Sequence, residues 1–292
     1  MLKNEFLCQL ENEEDFSAFT SRHSGDKTVA YKTVNGEDIN LSVFYPKNFE
    51  SEKKLKTLII IHGGGWSSHK IFDDQNGLWQ GDYLGFLARY YADKGLLCVS
   101  VDYRLARNDA QEKDYQLTDL YSDCCDAVKY IYNIKDELKI DENDVSILGE
   151  SAGGYLAAAV VTLPFIKLPF KFKKAYLINA ITNLYDHWHK AVPQNTDFEP
   201  LKDLSEEERT KALSPLDNIT SCGFETVLVH GDCDTCVDPT QSRKFHEKSL
   251  ETGNVSKLYR LPNTGHAFLL EEYTTQKRAT AAAIKILDKE IL

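Results

Sequence analysis

The sequence predicts an α/β fold, a mostly parallel sheet with helices on both faces and a small insertion. Three observations predict it. Short continuous apolar runs alternate with longer stretches of helical periodicity, and glycines punctuate the ends of the runs. The one strong hairpin signal, Asn35-Gly36, stands near the start of the chain.

Residues 1–27 are polar with scattered apolar positions and read as a short helical or irregular arm. Runs 28–34 and 39–45 flank Asn35-Gly36 and read as an antiparallel pair. Run 57–61 is apolar and β-branched, as a strand buried on both faces should be. A helix over 83–94 stops at Gly95, and 96–101 is a second buried strand. Leu117, Leu120, Tyr121, Cys124, Val128 and Ile131 then recur along one helical face. A strand at 145–148 runs into a small-residue helix over 151–162, and 174–180 and 226–230 read as further strands. Between those two, residues 183–213 are polar, carry Trp188, Pro193 and Pro200, and show no strand pattern; they read as an insertion and a candidate lid. A helix over 238–253, a strand at 257–261 and a helix over 272–291 close a single domain spanning 1–292.

Composition narrows the function. With 42% hydrophobic and 27% charged residues the chain can bury a core without disulfides. Its formal charge of −11 disfavours nucleic acid, whose phosphates need Lys and Arg. Lys167, Lys171, Lys173 and Lys174 cluster, but apolar residues interrupt them, and they read as a solvated edge. The N-terminal residues lack the apolar core of an export signal and no segment is apolar enough to span a bilayer, so a cytoplasmic protein without a membrane partner is expected. Seven irregularly spaced cysteines make no disulfide framework. Cys233 and Cys236 have CxxC spacing but no second pair for zinc, while Cys124 and Cys125 read as core. No cofactor or metal is implied, and oligomeric state is left open.

Gly149-Glu150-Ser151-Ala152-Gly153 fits G-x-S-x-G between a strand and a helix. That context places a serine hydroxyl on a sharp turn at the sheet's C-terminal edge, and small neighbours tolerate the close approach. His62-Gly63-Gly64-Gly65-Trp66 follows the strand at 57–61. Its backbone N–H groups at Gly64 and Gly65, with that of Ala152, suit a developing oxyanion, each such donor contributing on the order of 3 kcal/mol. No GxGxxG or GxxxxGK[ST] phosphate loop is present. A serine needs a base, and His266, in the loop between the last strand and last helix, is best placed. An ordinary histidine there would become a free base near neutrality. His230 ends a strand and reads as bonding a turn; His23, His69 and His246 read as surface or loop residues. His187 and His189 flank Trp188 without a carboxylate at ligand spacing. For the acid, Asp232, Asp234 and Asp238 all follow the strand at 226–230. Asp234 fits best, because Asp238 before Pro239 reads as a helix N-cap.

In these residues the chain resembles the α/β-hydrolase superfamily, in particular small carboxylesterases of the hormone-sensitive-lipase-like and feruloyl/acetyl-esterase type. The resemblance rests on HGGGW at 62–66, DYR at 102–104, GESAGG at 149–154, HGDCD at 230–234 and GHAF at 265–268, in the expected order. It implies an eight-stranded, mostly parallel sheet under a lid, Asp234 as the acid, and a structural role for Asp102-Tyr103-Arg104. It also implies a small-molecule ester substrate of short acyl group, acetyl or aromatic and perhaps on a sugar, with Ser151, Asp234 and His266 catalytic. The sequence departs from the family pattern at Cys233 and Cys236, where a proline often stands. An arylformamidase-like amide hydrolase is the nearest alternative, and a non-catalytic binding homologue is a third, against which the complete set of three residues argues.

Overall fold

A nine-stranded sheet organises the chain; the computed structural model describes residues 2–8, 24–67, 84–106, 115–185, 190–221, 223–266, 268–269 and 277–292. In chain order the strands are β1 (Glu5–Leu7), β2 (Lys27–Val34), β3 (Glu37–Phe44), β4 (Leu55–Ile61), β5 (Leu97–Val101), β6 (Ile140–Glu150), β7 (Lys174–Ile178), β8 (Glu225–Gly231) and β9 (Ser256–Leu261). The helices are α1 (Gly85–Asp93), α2 (Leu117–Asn133), α3 (Ser151–Thr162), α4 (Glu206–Leu213), α5 (Thr240–Glu251) and α6 (Lys277–Ile291). Spatial order is β1-β9-β8-β7-β6-β4-β5-β3-β2. Among the described residues only β2 with β3 and β3 with β5 pair antiparallel, and the other pairings are parallel. Asn35 and Gly36 both take positive φ, 53° and 81°, as a tight two-residue hairpin requires.

The expected α/β architecture is present, with one strand more than the eight implied by resemblance. The addition is β1, which pairs parallel to β9 and lies in the segment read as a helical or irregular arm. Three residues are too few to show a strand period. Arg260 on β9 pairs with Glu5 at 3.0 Å and holds β1 at the edge. Residues 9–23 of that arm, Tyr83 and residues 272–276 lie outside the described residues.

Both faces of the sheet are covered, which is why its central strands are apolar throughout. Along β4, Ile59 and Ile61 point to the side packed by α2 and α3, while Leu58 and Ile60 face α1 and α6. The described part of the insertion holds a 3₁₀ turn (Glu199–Leu201) and α4, with no strand. It buries Val192, Leu201 and Leu213 in the α2–α3 core. Among the described residues no helix is long and apolar enough to cross a membrane.

One buried ion cluster ties the hairpin and α2 to the segment after β5. The Asp123 carboxylate, fully buried on α2, accepts two bonds from the Arg104 guanidinium (2.6 and 2.9 Å) and one from Lys32 of β2 (2.8 Å). Arg104 also reaches Asp119 at 3.3 Å. The Asp102-Tyr103-Arg104 segment is thereby anchored just after β5 through Arg104. Removing one member of such a cluster leaves buried charge uncompensated, so Asp123→Asn is expected to cost about 3 kcal/mol in urea unfolding. A loss below about 1 kcal/mol, the range of exposed pairs, would contradict this.

Candidate active site

β6 ends at Glu150 and α3 begins at Ser151, whose φ of 54° lies in the left-handed region that non-glycine residues rarely occupy. The turn is possible because Gly149 and Gly153, two positions to either side, carry no side chain. A Cβ on Gly153 would sit 2.2 Å from His62 O and 2.3 Å from Ile61 O, and one on Gly149 2.2 Å from Gly153 O. The start of α3 therefore lies directly on the end of β4, and the 62–66 loop passes beside Ser151.

That loop is held from three sides. Gly64, Gly65 and Trp66 all have positive φ, 98°, 63° and 60°. The Trp66 indole N–H donates to Ala152 O at 3.0 Å, and its ring meets Tyr155 edge-on at 5.4 Å. Tyr103 shares its hydroxyl proton between His62 O (2.8 Å) and Gly63 O (3.1 Å), and its ring stacks on His62 at 4.4 Å. Burial pushes the His62 pKa down to about 4, against the opposing effect of its bond to Gly63 O, so this ring is uncharged at neutral pH. Gly64 and Gly65 are exposed, and Ala152 is buried in the first turn of α3.

His266 lies in the loop after β9, with Nε2 2.8 Å from Ser151 Oγ and Nδ1 2.7 Å from Asp234 Oδ2. A carboxylate accepts, so Nδ1 carries a proton, and in the neutral ring Nε2 is left to accept from the serine hydroxyl. Asp234 Oδ1 accepts backbone N–H bonds from Cys236 (2.9 Å) and Val237 (2.8 Å). Its two sequence rivals are engaged elsewhere. Asp232 is held by Arg260 at 2.9 and 3.0 Å, and Asp238 accepts the Thr240 N–H at 2.8 Å where α5 starts. The helix begins two residues later than expected, with Pro239 at the N-cap position.

One residue here was not singled out by sequence, and another makes a contact beyond the one expected. Asn179, directly after β7, has φ 45°; its side-chain amide donates to His266 O and its Oδ1 accepts the Gly231 N–H at 3.3 Å. An Asn just past a buried strand was the available signal, since Asn tolerates this backbone region. His230 bonds the turn through Val237 O (3.0 Å), as expected, but Nε2 also lies 3.2 Å from Asp234 Oδ2. His246, expected at the surface, is fully buried, with Nδ1 on Ser256 Oγ and Nε2 on Lys3 O. His23, His69, His187, His189, Trp79 and Trp188 lie outside the described residues. Among the described residues no group of three or more His, Cys, Asp or Glu side chains is arranged to hold a metal. Cys233 and Cys236 are both free and exposed.

The electrostatics follow from this packing. Burial would raise the Asp234 pKa, but bonds from His230, His266 and Val237 and the His266 charge hold it well below the usual carboxylate range. Burial would lower that of His266; bonds to Asp234 and Cys236 and the charges of Glu150 and Asp234 outweigh it and raise the imidazole above its ordinary value. Beside Gly65 lies an open cavity of about 530 Å³ with apolar walls from Trp66, Leu117, Val192 and Pro193 and with Lys190 and Gln194 at its border.

A raised pKa means that the free base forms at higher pH, so His266 is expected to lose its proton above neutrality and not near it. The downfield Nδ1 proton followed by NMR across pH checks this. Asp234→Asn removes one of the two raising charges and the bond that goes with it, so the midpoint should then fall, and a midpoint at or below about 6.5, the reference histidine value, in the unsubstituted protein would contradict the account.

Comparison with known proteins agrees with the fold. The BD-FAE family profile matches residues 41–249, more than half of the chain. A putative alpha/beta hydrolase of Acanthamoeba polyphaga mimivirus is 22% identical, over 96% of this chain and 80% of its own length. Esterase LipC of Mycobacterium tuberculosis is 26% identical over 80% of this chain, which spans 58% of LipC. In structure, the thermophilic esterase of Thermogutta terrifontis superposes with a TM-score of 0.69 at 23% identity, covering 92% of this chain and 94% of that one. That last likeness speaks to the fold. The chain belongs to the BD-FAE family and is a carboxylic ester hydrolase of the α/β-hydrolase fold.

Proposed function

We propose that the chain hydrolyses small, short-acyl esters through an acyl-enzyme on Ser151, with His266 as base and then acid and Asp234 as its anchoring anion. The observation that carries this reading is the hydrogen-bonded line Ser151 Oγ, His266 Nε2, His266 Nδ1, Asp234 Oδ2 on a left-handed turn. As Oγ bonds to the ester carbonyl carbon, His266 Nε2 takes its proton, and Asp234 stabilises the imidazolium. The N–H groups of Gly64, Gly65 and Ala152 receive the oxyanion. Collapse expels the alcohol, which leaves with the proton from Nε2. Water then repeats the sequence on the acyl carbonyl and frees the acid. The chemistry draws on no metal or cofactor, and activity should survive EDTA.

Acyl size is argued from the surface. The described part of 183–213, proposed as the lid, turns its large apolar residues inward, apart from Tyr185. Acetyl and propionyl groups, on a small or aromatic alcohol reaching the cavity beside Gly65, suit such a site better than a long chain. We place the activity in the cytoplasm, on small-molecule esters.

The test is hydrolysis of p-nitrophenyl esters. Ser151→Ala should lower kcat by about six orders of magnitude. Asp234→Asn should lower it by about four, whereas Asp238→Asn, still able to accept from Thr240, should stay near the parent, with thermal melts excluding unfolding. Across acyl lengths kcat/KM should peak at acetate or propionate. A climb of about 0.8 kcal/mol per methylene up to decanoate would overturn the short-acyl reading.

A further inference from the structure

We propose that His230 is a positioning residue for this reaction: from the end of β8 it fixes the Asp234 carboxylate so that Oδ2 faces His266 in one orientation. The inference rests on the assignment of Ser151, His266 and Asp234 made above.

The ring of His230 is enclosed, 1% exposed, and every ring nitrogen has a partner. Nδ1 lies 2.7 Å from Ser242 Oγ, itself fully buried on α5. Nε2 lies 3.0 Å from Val237 O and 3.2 Å from Asp234 Oδ2. A carbonyl and a carboxylate can only accept, so Nε2 carries a proton that it donates to Val237 O while facing Asp234 Oδ2, and Nδ1 meets the Ser242 hydroxyl. The ring is therefore pinned by β8, by the turn and by α5 at once. The spacing of His230-Gly-x-x-Asp234 makes this possible, because the chain leaves the strand at Gly231 and returns the carboxylate over the ring.

Asp234 then has all its acceptor capacity used. Oδ1 takes the N–H groups of Cys236 and Val237, and Oδ2 faces the N–H groups of two imidazoles, those of His266 and His230. Without His230, Oδ2 would keep one donor, and the carboxylate would be held by that donor and the two N–H groups on Oδ1 alone. The reacting histidine would lose the fixed partner that aims Nε2 at Ser151. A second consequence concerns charge. A donor on Oδ2 draws density from the oxygen that stabilises protonated His266, so it tempers the upward pull on that ring. The groups facing His266 are Asp234, Glu150 and Cys236, and those facing His230 are Asp234 and Asp238.

Four proteins test this: the parent, His230→Phe, which keeps a ring without a donor, His230→Gln, which restores an N–H, and Ser242→Ala. Each is read by kcat and KM on p-nitrophenyl acetate, by the acid limb of kcat/KM, by the NMR titration of the His266 Nδ1 proton, and by a thermal melt. His230→Phe should lower kcat roughly tenfold to a hundredfold, as loss of an orienting partner does at other sites, with KM within about twofold. Its acid limb should move up by roughly half a pH unit to one unit, the worth of one hydrogen bond on the charged form. His230→Gln should recover most of kcat and return the limb, and Ser242→Ala should shift both in the Phe direction by less. A folded Phe variant with the parent's kcat and limb, or a Gln variant as impaired as Phe, overturns the proposal. If the Phe variant does not fold, absence of rescue in Gln together with an unmoved limb in Ser242→Ala does so. Were the parent inactive on every ester, the failure would lie with the proposed function. The NMR titration, which needs no turnover, would still decide the coupling of His230 to His266: no change in midpoint between the parent and the Phe variant, or Ser242→Ala where Phe does not fold, refutes it.

Discussion

The contact between Gly153 and the end of β4 is the constraint on which the site depends. It brings the first turn of α3 against His62 and Ile61, leaving no room for a side chain. The left-handed backbone at Ser151 is the consequence, since the chain must turn from β6 into a helix already lying on the neighbouring strand. Strain of this kind costs of order 1–3 kcal/mol and persists only where the surroundings over-determine it. Here β6 sits between β4 and β7 in the middle of the sheet, and α3 is buried along most of its length. The same contact sets the glycine loop next to the serine, so one packing requirement places both halves of the proposed chemistry.

From there the stabilising interactions run outward. Trp66 and Tyr103 clamp the 62–66 loop; the Arg104–Asp123–Lys32 cluster holds Tyr103's segment; and that cluster reaches the hairpin at the sheet's far edge. On the other side Asn179 joins the ends of β7 and β8 to the His266 loop, and Cys233 N–H donates to Thr264 O at 2.9 Å. Three strand ends and two loops are thus cross-linked by hydrogen bonds within a few residues of the reacting atoms. A site built on strand ends held this way needs little reorganisation to keep Nε2 at bonding distance from the serine.

Much of this was legible in the sequence where the signal is local. The alternation of apolar runs with helical stretches, the Asn35-Gly36 hairpin, the start of α3 at Ser151 and the candidate residues Ser151, Asp234 and His266 all come from spacing within a few positions. What escaped depends on partners far along the chain. β1 is too short to carry a period and is held by Arg260, 255 residues away. His246 reads as a surface or loop residue until Lys3 O supplies its buried acceptor, 243 residues away. Asn179 and the second contact of His230 become meaningful only when the sheet order sets β7 and β8 beside the His266 loop. The upward shift of His266 likewise needed distances, since burial and the carboxylates push in opposite directions and spacing cannot say which wins.

The account turns on one reactive oxygen, activated by one imidazole. Treatment with a slight excess of diethyl p-nitrophenyl phosphate, followed by digestion and mass spectrometry, tests it most directly. The account predicts a single diethylphosphoryl adduct on Ser151, formed in step with loss of esterase activity and nearly abolished in His266→Ala. An adduct on another residue, or labelling of Ser151 at an unchanged rate without His266, would contradict it.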